Sequence, residues 1–306
     1  MNIAGQGGIG SGFELRPRRA GELMDVAFRL TRHAIHTMWP VMLAVLVPVS
    51  ALAAVQIASL QNAASARDFT TSSNGQSGLS LVSTIVVGLL VVTLVPAMYA
   101  IHMGAPISSG DALRHGLRRV PIAILYAILS SLALLGLMFP TTIVFVLAFF
   151  AIFAVARITG PVGVIVVAAI SYLATFIGLL GLTGRFQLGF IALIIEYIGP
   201  VEALKRGFSL TKRRWLQYGA LQALMLILIV IFGVVAGGVG AAVFSAIEGS
   251  IGIGIVAFAG YLLYLGIWFP MYTALGVAMY VDSRVRLEAL DIGQLSSQLS
   301  SPTLLG

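Results

Sequence analysis

Cysteine is absent from the chain, which excludes a disulfide framework, a thiolate nucleophile and a cysteine-ligated metal. Charge is scarce too: only 9% of residues are Asp, Glu, Lys or Arg, where a soluble chain carries about a quarter. Acidic residues are the rarer sign, 11 against 18 Lys and Arg, and no Asn-x-Ser/Thr sequon occurs. The apolar runs contain no His-Glu-x-x-His motif, no paired aspartates and no Ser-His pair, so an intramembrane enzyme is not expected. What remains is hydrophobic: 59% of the 306 residues, with a mean hydropathy of +1.02. A soluble fold of this size could not hide that much apolar surface, whereas lipid solvates it. The expectation is an all-α, polytopic transmembrane helical bundle.

The few cations are clustered. Fifteen of the eighteen Lys and Arg fall within 14–36, 110–119, 200–214 and 282–288, and the others are Arg67, Arg157 and Arg185. Short loops rich in Lys and Arg stay on the cytoplasmic side during insertion, which places both termini in the cytoplasm and an even number of crossings between clusters. The net charge of +7 therefore points to anionic headgroups rather than to nucleic acid. Spans are expected near 38–60, 79–103, 121–156, 161–199, 215–245 and 253–280. One integral membrane domain, 14–292, would lie between a flexible N-terminus, 1–13, and a disordered Ser/Gln-rich tail, 293–306. The N-terminus is too polar for a signal peptide, so the first span is expected to act as an uncleaved signal-anchor.

Segment 19–36 has helical periodicity, with Leu23, Val26, Ala27, Leu30 and Ala34 on one stripe and Glu22, Asp25, Arg29, Arg32, His33 and His36 on the other. Such a helix before a span is expected to lie in the interface. Residues 108–119 read as a short surface helix capped by Ser108 or Ser109. The middle of the chain stays open. Residues 120–156 carry no charge for about 37 positions, roughly 55 Å as helix against about 30 Å of hydrocarbon. Either Pro140-Thr141-Thr142 is a tight turn between two short spans, or one long helix bends. Gly178, Gly181 and Gly184 are candidate breaks in the next stretch. Six spans are preferred, with eight the alternative.

Three segments resemble a known pattern. Leu15-Arg16-Pro17 with Gly21-Glu22-Leu23-Met24-Asp25-Val26-Ala27-Phe28-Arg29-Leu30 is similar to the opening of bacterial proteins related to the glycerophosphoryl diester phosphodiesterase membrane domain. Residues 195–212, from Ile195-Glu196-Tyr197 to Leu210-Thr211-Lys212, resemble that family's central signature, and Tyr280–Glu288 resembles its closing one. Gly207-Phe208-Ser209 departs from it, since the family more often has Ser-Trp-Arg there. The resemblance implies a six-helix membrane architecture in the bacterial cytoplasmic (inner) membrane. It does not carry phosphodiesterase activity to this chain. The catalytic domain of some relatives opens on His-Arg-Gly, which is absent, and there is no room for its barrel of about 250 residues.

Two charges interrupt the fourth apolar stretch. Arg185 and Glu196 each face about 2.5–3.5 kcal/mol at mid-membrane unless paired or hydrated. On one helix they share a face but stand about 16 Å apart, too far to pair. Arg185 either lines a polar site or snorkels to an interface, and Glu196 is expected to meet Lys205 or Arg206. The basic segment with Lys205, Arg206, Lys212, Arg213, Arg214 and Trp215, together with Arg29 and Arg32, is the candidate contact for anionic lipid headgroups or another membrane or cytoplasmic protein. His33 and His36 stand three apart with Asp25 and Glu22 upstream, but a polar interfacial face explains them better than a metal, and no cofactor is expected. Gly233-x-x-x-Gly237 with Gly238 and Gly240 is a candidate for close helix packing. The expected role is a non-catalytic scaffold, anchor or lipid-organising component, with a transporter or lipid-handling protein built around Arg185 as the alternative.

Overall fold

Long apolar sequence can satisfy its backbone groups in lipid only as helix or closed barrel, and helix is what forms. The structure, a computed structural model, describes residues 16–66, 88–105, 107–246 and 250–288. Among the described residues all regular structure is α-helical: α1 Ala20–Ala66, α2 Gly88–His102, α3 Ser109–Ile195, α4 Pro200–Thr211, α5 Trp215–Ala246 and α6 Ser250–Glu288. Among the described residues five segments are long and apolar enough to cross a membrane: Ala20–Val55, Ser109–Leu137, Gly178–Ile195, Trp215–Ala236 and Gly254–Glu288. Gly88–His102 is a shorter apolar helix. The chain is an all-helical membrane protein. The N-terminus 1–13, the far-side turn after Ala66, the start of span two and the tail 293–306 lie outside the described residues.

Helix ends follow local chemistry. The Ser108 hydroxyl accepts the Asp111 N–H at 3.1 Å and donates to the Asp111 carboxylate at 2.8 Å, so Ser108 is the cap of α3. The Glu22 carboxylate accepts the Arg19 N–H at 3.2 Å, which is one half of a capping box on α1. Pro200 opens α4, where its missing N–H would be unpaired in any case. Gly104, at φ 75°, ends α2, and the Ala105 N–H bonds the Ala100 carbonyl at 2.9 Å across it.

Three expectations change and one open alternative is resolved. The segment 19–36 and the first span are one helix, and Leu23, Ala27, Leu30 and Ala34 are fully buried in protein rather than laid in lipid. Their helix packs on α6, which runs antiparallel to it: Arg18 meets Asp282 at one end, and Leu46 lies beside Gly266 further along. The surface helix 108–119 is likewise the first part of α3, because nothing after the Ser108 cap interrupts the helical ladder. Pro140-Thr141-Thr142 is helical, so of the two constructions the long bent helix forms. The candidate breaks Gly178, Gly181 and Gly184 also stay helical, since a glycine lowers helix stability without ending a helix held by packing.

The bend in α3 is a reversal. Tyr126 donates a 2.7 Å hydrogen bond to the Phe186 carbonyl 60 residues on, and its ring lies 5.9 Å from that of Phe190. A straight helix would separate Tyr126 and Phe186 by about 90 Å. The helices cluster into two compact units: Pro121–Leu224, and the parts of Met1–Val120 and Met225–Gly306 that are described. The boundaries fall inside α3, at Val120-Pro121, and inside α5, at Leu224-Met225.

Candidate functional site

The unit Pro121–Leu224 holds the central signature. Helix α3 ends at Ile195, and Tyr197 takes a left-handed conformation, φ 60°, that costs a non-glycine residue about 1–3 kcal/mol. The chain turns there, and α4 folds back along the last turns of α3. A Cβ at Gly207 would collide with the Arg185 carbonyl and lie 2.8 Å from the Gly189 nitrogen. One at Gly189 would collide with the Tyr126 hydroxyl and meet the Ala203 carbonyl at 2.7 Å. The two helices therefore touch backbone to backbone. The start of α5 approaches on another side: a Cβ at Gly219 would lie 3.2 Å from the Gly181 Cα, and Gly181 leaves room for the Trp215 ring.

These approaches assemble the surroundings of Arg185. Its guanidinium carbon stands 5.0 Å from the centre of the Phe208 ring and 5.6 Å from that of Trp215. Each ring face attracts a cation by about 0.5–2 kcal/mol, more as water is excluded. Phe208 is itself fixed edge-on to Phe186 at 6.0 Å. Among the described residues no carboxylate pairs with Arg185, and its Nε is enclosed without an acceptor. Arg185 is level with Trp215 and with the Lys212-Arg213-Arg214 turn that precedes it, which places it at the basic end of the helices. Beyond it, Leu188, Ile191, Ala192, Leu193 and Ile194 are each no more than 1% exposed. Apolar surface that lipid solvates stays open, as it does along Leu125, Ile128, Leu132 and Leu135. The run after Arg185 is enclosed by protein instead, so its hydropathy reflects a packed core rather than a lipid contact.

The other expected site residues separate into pairs and free cations. Arg206 grips Glu196 with both ends of its guanidinium, Nε and Nη2 lying 3.0–3.2 Å from the carboxylate oxygens. That bridge spans the Tyr197 turn and pins α4 to the end of α3. Arg214 donates to the Gln217 side chain at 2.7 Å. Lys205, Lys212 and Arg213 are exposed. In the other unit Arg29 pairs with Asp25 at 3.0 Å, both well exposed, and Arg32 is exposed on the same side of α1. Among the described residues no three His, Asp or Glu converge to hold a metal.

Sequence reasoning missed two features. Asp282, 1% exposed, accepts the Arg18 N–H at 2.8 Å and Arg286 Nε at 2.9 Å, while Arg286 Nη2 donates to the Arg18 carbonyl at 2.6 Å. Burial lowers the Arg18 pKa, with the Asp282 charge opposing the shift. The opening and closing segments of the resemblance are thus joined, and the Asp282-x-x-x-Arg286 spacing was the available signal. The second is a side-chain hydrogen bond from Gln222 to Gln187, both buried. Neutral residues in apolar runs gave no warning of it. In the glycine-rich stretch at 233–240, Gly233 lies 3.8 Å from Tyr264 and Gly238 has open space, while the surroundings of Gly237 and Gly240 lie outside what the structure describes.

Comparison with known proteins adds no relative: no family model, no curated protein and no solved structure matches the chain.

Proposed function

We propose that this is a non-catalytic, multi-pass protein of a bacterial cytoplasmic membrane, a member of the glycerophosphoryl diester phosphodiesterase membrane-domain family. In this proposal it organises anionic lipid, or anchors a partner, through a basic elbow between α4 and α5. The carrying observation is the division of labour among the cations. Arg206 is committed to Glu196, while Lys205 on α4 and Lys212 and Arg213 on the turn before Trp215 are exposed. Structural pairing accounts for the first, and the others are open to an outside anion at a membrane surface, where each cation is worth roughly 1 kcal/mol.

Reconstitution in vesicles of mixed neutral and anionic lipid tests this. The purified protein is expected to retain anionic lipid preferentially, measured by native mass spectrometry of the protein released with its bound lipids. Replacing Lys205, Lys212 and Arg213 together with Gln is expected to remove most of that preference. Single-cysteine labelling at Lys212, straightforward in a chain without cysteine, reports sidedness separately. Unchanged retention by the triple variant, correctly inserted, would sink the proposal.

A further inference from the structure

We propose that the elbow holds the phosphate of one anionic phospholipid, with the Arg185 guanidinium as its central donor. This deepens the function proposed above and rests on it, giving the basic corner a ligand and a geometry.

Three observations combine. The first is a missing counter-charge: Arg185 has no carboxylate among the described residues, Glu196 is taken by Arg206, and Arg214 binds the neutral Gln217. Lys212 and Arg213, on the turn between the helices that carry Phe208 and Trp215, add positive charge and bring no acid with them. The second is orientation. A guanidinium held against ring faces keeps its plane and presents its N–H edge, the geometry that grips a phosphate with two parallel hydrogen bonds. Of the three guanidinium nitrogens only Nε is both enclosed and without an acceptor, and Arg185 as a whole is half-buried, so the outer edge stays open. The third is what lies beside it. Leu216, the residue after Trp215, is 55% exposed and Leu224 further along α5 is 42% exposed, giving acyl chains an apolar surface that begins beside the basic turn. A soluble phosphate would use the first two features and have no use for the third.

The test follows Trp215 fluorescence in the full chain carrying Trp39→Phe and Trp268→Phe, which removes the other two of its three tryptophans. The protein is reconstituted in phosphatidylcholine vesicles containing a small fraction of lipid with brominated acyl chains, either phosphatidylglycerol or phosphatidylcholine. Brominated phosphatidylglycerol is expected to quench Trp215 as though enriched about fivefold over its neutral counterpart. Arg185→Gln is expected to abolish the enrichment, and Arg185→Lys to keep part of it. Millimolar inorganic phosphate or glycerol phosphate is expected to leave it unchanged. Equal quenching by the two lipids overturns the site without any variant. Displacement by inorganic phosphate also overturns it, assigning the corner to a soluble anion. Enrichment that survives Arg185→Gln but vanishes on neutralising Lys205, Lys212 and Arg213 overturns this site while leaving the wider role of the basic corner standing. Enrichment that survives both removes the two proposals together.

Discussion

Gly207 departs from the residue its family resemblance favours, and the contact at that position supplies a reason. Backbone atoms of Arg185 and Gly189 occupy the space a side chain would need, and backbone cannot swing aside as a side chain can. Gly207→Ala is expected to destabilise the protein by about 1–3 kcal/mol, lowering its thermal midpoint in detergent. Gly238→Ala, into open space, is expected to leave the midpoint unchanged or raise it by up to about 1 kcal/mol of helix propensity. Equal effects of the two substitutions would mean that α4 does not lie against α3 as described. Arg185 teaches the same lesson from the other direction. Its oddity was legible as a charge in an apolar run, but the rings that hold it come from positions 23 and 30 residues further along. No spacing rule reaches that far.

At the scale of elements, starts and stops were written locally. Ser108 capping, Pro200 at the first position of α4 and the onset of α5 at Trp215 all sit where short-range chemistry put them. The amphipathic stripe of 19–36 was also legible, but not what would cover it: periodicity tells which face is apolar and is silent on whether lipid or protein meets it. The packing partner is α6, fastened by Asp282 to Arg18 and Arg286. Asp282→Ala removes a buried acceptor and leaves Arg286 without its carboxylate, a loss of about 3 kcal/mol by the usual scale for breaking a buried pair. The expected readouts are a lower thermal midpoint and faster trypsin cleavage after Arg18 and Arg19, with other sites unaffected. Cleavage at the unmodified rate would argue against the clamp.

For the whole molecule, the reversal within α3 decides which residues become neighbours. Spin labels at Leu125→Cys and Leu182→Cys, added to a chain with no cysteine of its own, are expected within about 25 Å of each other. A straight helix would hold them about 85 Å apart. A distribution centred near the longer distance would dissolve the candidate site, because Tyr126, Phe186 and Gly189 could not then meet. By itself the sequence determined the class: composition demands lipid, and lipid demands helix. These are sums over many residues, so they survive ignorance of the fold. Only the tertiary structure decided which apolar surfaces are core and which face lipid, which cations are paired, and which glycines matter. Those outcomes depend on contacts between residues tens to hundreds of positions apart, such as Tyr126 with Phe186 and Arg18 with Asp282. Hydropathy has one value for a leucine in lipid and a leucine in a core, and the close approach at Gly207 separates the two where the sequence could not.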